Sequence, residues 1–194
     1  MKRMLWMAVL ALALPLSAFA GSSVDFTNSG GTLTGSSAGL SLTGSELIAI
    51  NGLGGLQTGN LGSLTFSTGS LISGSLQMGG MFNGGGSFVI TGNSGTIFSG
   101  SFTGPVTWSM ITLANGTHNY TLTGSLTGSW EGGSGTVDGA TVQLTINTGK
   151  GFFNGSTTIS SGDTNIAVPE PGTLGLLGTG LIGLAGMLRK KKVV

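Results

Sequence analysis

Between residues 21 and 168 apolar and polar side chains alternate in short runs separated by glycine-rich breaks. The clearest run is Thr141-Val142-Gln143-Leu144-Thr145-Ile146, in which Val142, Leu144 and Ile146 share one phase. A period of two puts successive side chains on opposite faces of a strand, so one set meets a core and the other meets water. Ser63-Leu64-Thr65-Phe66-Ser67, Ser87-Phe88-Val89-Ile90-Thr91, Thr96-Ile97-Phe98-Ser99 and the longer Val106 to Leu113 run read the same way. Threonine is frequent in the outer phase, where its branched side chain suits a pleated surface. Gly44 to Leu56 is the one stretch of this region with room for a short helical turn.

Turn signals recur at Asn83-Gly84, Gly92-Asn93, Asn115-Gly116, Gly132-Gly133, Asp138-Gly139 and Asn154-Gly155. Asn-Gly and Asp-Gly tolerate the positive φ angles of tight hairpins. The pattern predicts an all-β domain, an antiparallel sandwich, roll or barrel. A tetrapeptide also repeats: Leu33-Thr34-Gly35-Ser36, Leu42-Thr43-Gly44-Ser45, Leu122-Thr123-Gly124-Ser125 and Leu126-Thr127-Gly128-Ser129. A β-solenoid is the alternative that such repetition raises, but a solenoid needs a constant period and these intervals vary. Glycine inside these strands predicts bulges or sharp bends rather than a site.

The two ends follow other rules. Residues 1–20 have Lys2 and Arg3, an apolar run from Leu5 to Leu14, the helix breaker Pro15, and small residues at Ala18 and Ala20 around Phe19. That is the plan of a secretory signal peptide, a helix cut by signal peptidase after Ala20. At the other end Gly172 to Leu188 is uncharged, and Arg189, Lys190, Lys191 and Lys192 follow at once. As a helix the apolar stretch reaches about 25 Å, slightly less than a bilayer core, so it spans with snorkelling flanks. The basic cluster keeps that end in the cytoplasm. Just before it, Pro169 and Pro171 flank Glu170 and hold the chain extended, outside helix and sheet.

Pro169-Glu170-Pro171, a short Gly/Leu-rich helix and a basic terminus, in that order, resemble the PEP-CTERM sorting domain read by exosortase enzymes. The resemblance covers the last 25 or so residues, and a sortase tail is excluded because no LPxTG-like motif is present. It implies a precursor exported across the inner membrane, held transiently by its tail, cut near Pro-Glu-Pro by exosortase and passed to the cell surface or extracellular matrix. It also implies company with exopolysaccharide, as in a biofilm matrix. The chain therefore divides into a signal peptide (1–20), a β-rich surface domain (21–167) and a sorting tail (168–194).

Charge changes the picture of the middle. Six of the seven basic residues lie in the end segments, leaving Lys150 against Asp25, Glu46, Glu131, Asp138 and Asp163. One lysine cannot neutralise a phosphate backbone, which excludes nucleic acid as a partner. Cysteine is absent and there is a single histidine, so no disulfide supports the fold and a zinc site is implausible. His118 approaches a strand just after a turn and reads as an exposed hairpin residue. The carboxylates are scattered, without the pairing that glycoside hydrolysis needs. Asp163-Thr164-Asn165 offers oxygen atoms to calcium but lacks an EF-hand spacing. No Gly-x-Ser-x-Gly elbow or phosphate loop occurs. The expectation is a domain without catalytic residues, metal or cofactor.

Three aromatic residues bear on sugar binding. Trp108, Tyr120 and Trp130 fall in one stretch, and flat rings stack on the apolar faces of sugars. Trp108 is in phase with Val106 and Met110, which argues for the core, while Trp130 at a strand end is the more exposed ring. The leading functional reading is a structural surface or matrix protein. The competing one is a carbohydrate-binding module with Trp130, Tyr120 and Trp108 as its platform, and a hydrolase is a distant third.

Overall fold

The computed structural model describes residues 22–52, 54–130 and 136–168. The predicted signal helix, the tail helix, the Pro169-Glu170-Pro171 and Arg189 to Lys192 motifs, Glu131 and the Gly132-Gly133 turn lie outside those residues. The described part is all-β: β1 (Ser22–Ser29), β2 (Thr32–Ser36), β3 (Gly39–Gly52), β4 (Gly55–Ser67), β5 (Leu71–Ser75), β6 (Gly79–Phe82), β7 (Gly85–Gly92), β8 (Gly95–Phe102), β9 (Val106–Thr112), β10 (His118–Trp130), β11 (Thr136–Asn147), β12 (Ser156–Thr158) and β13 (Ser161–Val168). Among the described residues no helix is long and apolar enough to cross a membrane.

The strand order is β11-β13-β1-β3-β4-β7-β8-β10-β9-β6-β5, and β10 also pairs with β11. Eight strands thus form a closed ring of hydrogen-bonded neighbours, running from β10 through β11, β13, β1, β3, β4, β7 and β8 back to β10. Closure leaves none of the eight ring strands as a terminal edge, the aggregation hazard of an all-β chain, while β5 and β12 lie outside it at the ends of the pairing. Hairpin neighbours such as β3–β4, β7–β8 and β10–β11 pair antiparallel. The solenoid alternative is overturned, because stacked solenoid coils would pair in parallel at a fixed period.

Two long strands let the ring and its outlying strands share one sheet. Along one edge β3 pairs with β2 up to Thr43 and with β1 from Glu46 onward. Along one edge β10 pairs with β9 up to Thr123 and with β8 from Leu126 onward. Each changes neighbour at a Leu-Thr-Gly-Ser tetrapeptide, Leu42–Ser45 and Leu122–Ser125. Gly44 has left-handed backbone (φ 67°), and the β3–β4 register shifts between Leu42 and Ser45. At Gly124 the reason is space: a β-carbon would sit 2.7 Å from the Phe102 ring. The expectation of a bulge or bend holds at Gly44, whereas at Gly124 the β10–β11 register runs on without a shift.

Two other local expectations fail. Gly44 to Leu56 forms no helical turn; most of it belongs to β3 and the start of β4, where pairing on both edges outweighs local preference. Asp138-Gly139 is not a hairpin turn either. It lies inside β11, where Leu126 faces Ala140 and Thr127 faces Asp138, so the extra residue makes a bulge.

The inward phase matches the alternation. Val142, Leu144 and Ile146 are buried, as are Leu64, Phe66, Phe88, Ile90, Val106 and Trp108. Phe88 meets Phe66, Phe98 and Phe102 with ring centroids 6.1, 6.2 and 5.9 Å apart. A second cluster stacks Trp108 on Tyr120 at 5.0 Å and sets Phe153 edge-on to Trp108 at 5.4 Å. A small polar set interrupts this core. Asn28 donates to Ser45 Oγ at 2.7 Å, yet Asn28 Oδ1 and Thr164 Oγ1 are buried without a partner.

These features set two outcomes for urea unfolding. Gly44→Ala, forced into left-handed backbone in open space, should cost about 1–2 kcal/mol; Gly124→Ala should cost more, since Phe102 must be displaced. Thr164→Val should be neutral or stabilising by about 1 kcal/mol, because a buried hydroxyl without a partner carries only a desolvation cost. A loss of stability in Thr164→Val would show that its hydroxyl is satisfied.

Candidate functional site

The outward phase of five adjacent strands builds one polar face. Cross-strand register aligns Thr107 with Thr123, Thr123 with Gln143, and Gln143 with Asp163. Thr27 extends this rung by donating from Oγ1 to Asp163 Oδ1 at 3.0 Å. A second rung aligns Ser125 with Thr141 and Thr141 with Asn165, whose amide donates to Asp25 Oδ1. Both rungs run across the strands, where neighbours are about 4.8 Å apart, so the five positions of the first cover about 19 Å and the four of the second about 14 Å. Apart from Thr27 these residues, together with Pro105, line a shallow trough of about 560 Å³.

What such a trough can do follows from its groups. Hydroxyl, amide and carboxylate side chains alternate at intervals close to the size of one sugar ring, a hydrogen-bonding surface suited to an extended polyol. It is poorly suited to catalysis. Among the described residues Asp25 and Asp163 are its only carboxylates, and each already accepts a hydrogen bond from a neighbour. The Asp163-Thr164-Asn165 segment cannot act together on calcium, since Thr164 points into the core while Asp163 and Asn165 point out. Among the described residues no three His, Cys, Asp or Glu side chains converge on a metal position.

The aromatic platform does not assemble. Trp108 is 1% exposed and donates from Nε1 to Leu76 O at 2.8 Å. Tyr120 is fully buried; its hydroxyl donates to Gln77 O at 2.7 Å and accepts from Phe153 N at 3.0 Å. Both rings tie the core to the β5–β6 turn and the 148–155 segment, and neither offers a face to a ligand. Trp130 alone is half-buried, tilted against Phe26 at 5.8 Å, and it lines a separate groove of about 540 Å³. His118 is also not the exposed hairpin residue expected. It is 8% exposed, shares a hydrogen bond between Nδ1 and Thr112 Oγ1 at 3.0 Å, and stacks on Phe152 at 4.4 Å. Its alternation with Tyr120 and Leu122 carried that signal, which the adjacent Asn-Gly turn obscured.

The trough was hidden in the sequence for a different reason. Thr107, Thr123, Thr141 and Gln143 read as an ordinary wet face, and nothing local joins Asp25 to Asn165, 140 positions away. Glu46, weighed as a hydrolytic carboxylate, is exposed on β3 and does not line the trough. Asp138 on β11 pairs with Thr127 in the β10–β11 register.

Immediately beyond β13 the chain enters the segment that carries its address. Residues 167–191 match the PEP-CTERM protein-sorting motif, a signal for processing by exosortase. The match includes Pro169, Glu170, Pro171 and the basic residues Arg189, Lys190 and Lys191. No curated protein and no solved structure matches the chain.

Tyr120→Phe tests the structural role assigned to that hydroxyl. It leaves the Phe153 amide buried without an acceptor, so urea unfolding should show a loss of about 1–3 kcal/mol. An unchanged midpoint would mean that the hydroxyl is free for other work.

Proposed function

We propose that this chain, exported and exosortase-sorted through its PEP-CTERM motif, is a non-catalytic structural protein of the cell surface or extracellular matrix that holds neutral exopolysaccharide on its polar trough. The single observation behind this reading is the double rung of Thr, Ser, Gln, Asn and Asp side chains across β9, β10, β11, β13 and β1. Such a surface binds weakly at each sugar and gains strength along a polymer, because each further contact is intramolecular. A matrix protein needs that kind of adhesion. In this reading signal peptidase removes residues 1–20 and the apolar stretch before Arg189 anchors the precursor until exosortase cuts near Pro169-Glu170-Pro171. No cofactor or metal takes part.

A carbohydrate-binding module remains the second reading, now with Trp130 as its sole ring. The two are separated by where substitutions act. In affinity electrophoresis through the producing cell's exopolysaccharide, Gln143→Ala with Asn165→Ala should abolish most retardation, and Trp130→Phe should leave it unchanged. The reverse result would favour the module. Intact mass of the surface-recovered protein gives the sorting test: loss of residues beyond the Pro-Glu-Pro region only in cells with exosortase. A mass retaining the tail in both strains would make the protein a permanently anchored one.

A further inference from the structure

The ends of the domain lie next to each other. Asp25 bonds to Asn165, Thr27 bonds to Asp163, and a β-carbon on Gly162 would meet the Asn28 amide at 2.5 Å. These three contacts share one register, which sets the first residue of β1, Ser22, opposite the last residue of β13, Val168. The chain thus enters and leaves the domain at one pole. The same pole carries the β3–β4 hairpin, where Gly52 faces Gly55, and the β7–β8 hairpin, where Gly92 faces Gly95. The end of β10 is there too, with Trp130 facing Phe98.

This pole has a composition unlike the trough. Its groove is lined by Trp130, Ile50, Leu61 and Ile97 together with Gln57 and Asn93, and among the described residues none that lines it is charged. Leu56, beside Gln57 at the hairpin end, is 67% exposed, the highest value among the large exposed apolar residues. Lys150, the one base among the described residues, belongs to the segment after β11, at the opposite end of that strand from Thr136.

We propose that this pole is a membrane-facing surface, with Trp130 and Leu56 seated at the lipid–water interface while the tail holds the precursor in the bilayer. The argument is the exit point of the chain: only one residue of β13 follows Ala167 before Pro169 opens the sorting segment, so a tethered domain presents this end to the bilayer. Tryptophan is a residue that settles at headgroup depth, and an exposed leucine beside it adds apolar area to bury at the acyl boundary. A patch this small binds a free domain weakly, but tethering makes the contact intramolecular. Once the tail is cut that advantage disappears and the domain leaves the membrane. Among the described residues of the pole none is basic, so the contact made by Trp130 and Leu56 is apolar and needs no anionic lipid.

The inference rests on tail anchoring, and one preparation tests both separately. The signal-processed precursor, residues 21–194, whose only tryptophans are Trp108 and Trp130, is reconstituted into phosphatidylcholine vesicles with and without lipids brominated high on the acyl chain. Flotation with the vesicles reads the anchoring. Bromine quenching of tryptophan emission reads the pole, because Trp108 is sealed in the core. Expected are flotation, loss of part of the emission in brominated vesicles, disappearance of that quenchable part in Trp130→Phe, and its weakening in Leu56→Asp. Persisting Trp108 emission in both variants shows that they fold. Adding anionic lipid or salt should change nothing. A chain that floats with identical emission in both vesicle types overturns the proposal. So does Trp130 emission that aqueous iodide or a neutral oligosaccharide quenches while bromine does not, or quenching that tracks self-association instead of lipid. A chain that fails to float removes the anchoring premise itself.

Discussion

The architecture depends on two strands being allowed to change neighbours partway along. β3 passes from β2 to β1 and β10 passes from β9 to β8, both across a Leu-Thr-Gly-Ser tetrapeptide. In each case glycine meets the demand in its own way. Gly44 takes a left-handed backbone that a side chain would oppose, and Gly124 leaves room for the Phe102 ring beneath it. A β-carbon at Gly44 would strain that backbone without meeting a neighbour, and one at Gly124 would displace Phe102 from the core. Through these two strands the eight-strand ring and the outlying β2, β5, β6, β9 and β12 strands belong to one sheet.

Closure of the ring decides where the polar groups go. Because β13 lies between β11 and β1, residues from the two ends of the domain become neighbours, and Asp25 meets Asn165 while Thr27 meets Asp163. The same strand carries Ile166 into the core and ends where the sorting motif begins. One element therefore finishes the core, supplies part of the trough and hands the chain to its exit signal. A domain that lacked β13 would lose all three, which ties completion of the fold to the same stretch of chain as the address.

Much of the fold was legible because alternation is a local property. The phase of Val142, Leu144 and Ile146, or of Val106 and Trp108, follows from steric placement along one strand and needs no partner to be read. The failures share a cause. Asp138-Gly139 looked like a turn and is a bulge, and His118 looked exposed and is covered by Thr112 and Phe152. In both, a partner distant in sequence overrode the local preference. The sugar platform failed likewise: Trp108 and Tyr120 are near in sequence and do stack, but on each other and on Phe153, as core.

The sequence by itself determined the address and the material of the domain. Proline, glutamate, apolar stretch and basic cluster act through properties that survive without a fold, namely backbone restriction, hydrophobicity and charge, so a linear string suffices to state them. Alternation and glycine placement likewise dictated strands. Tertiary structure alone decided which outer residues stand side by side in the trough, which aromatic rings are sealed, and that Ser22 and Val168 leave from one pole. Those are products of cross-strand register, and register is set by the joint packing of side chains contributed by strands more than a hundred positions apart.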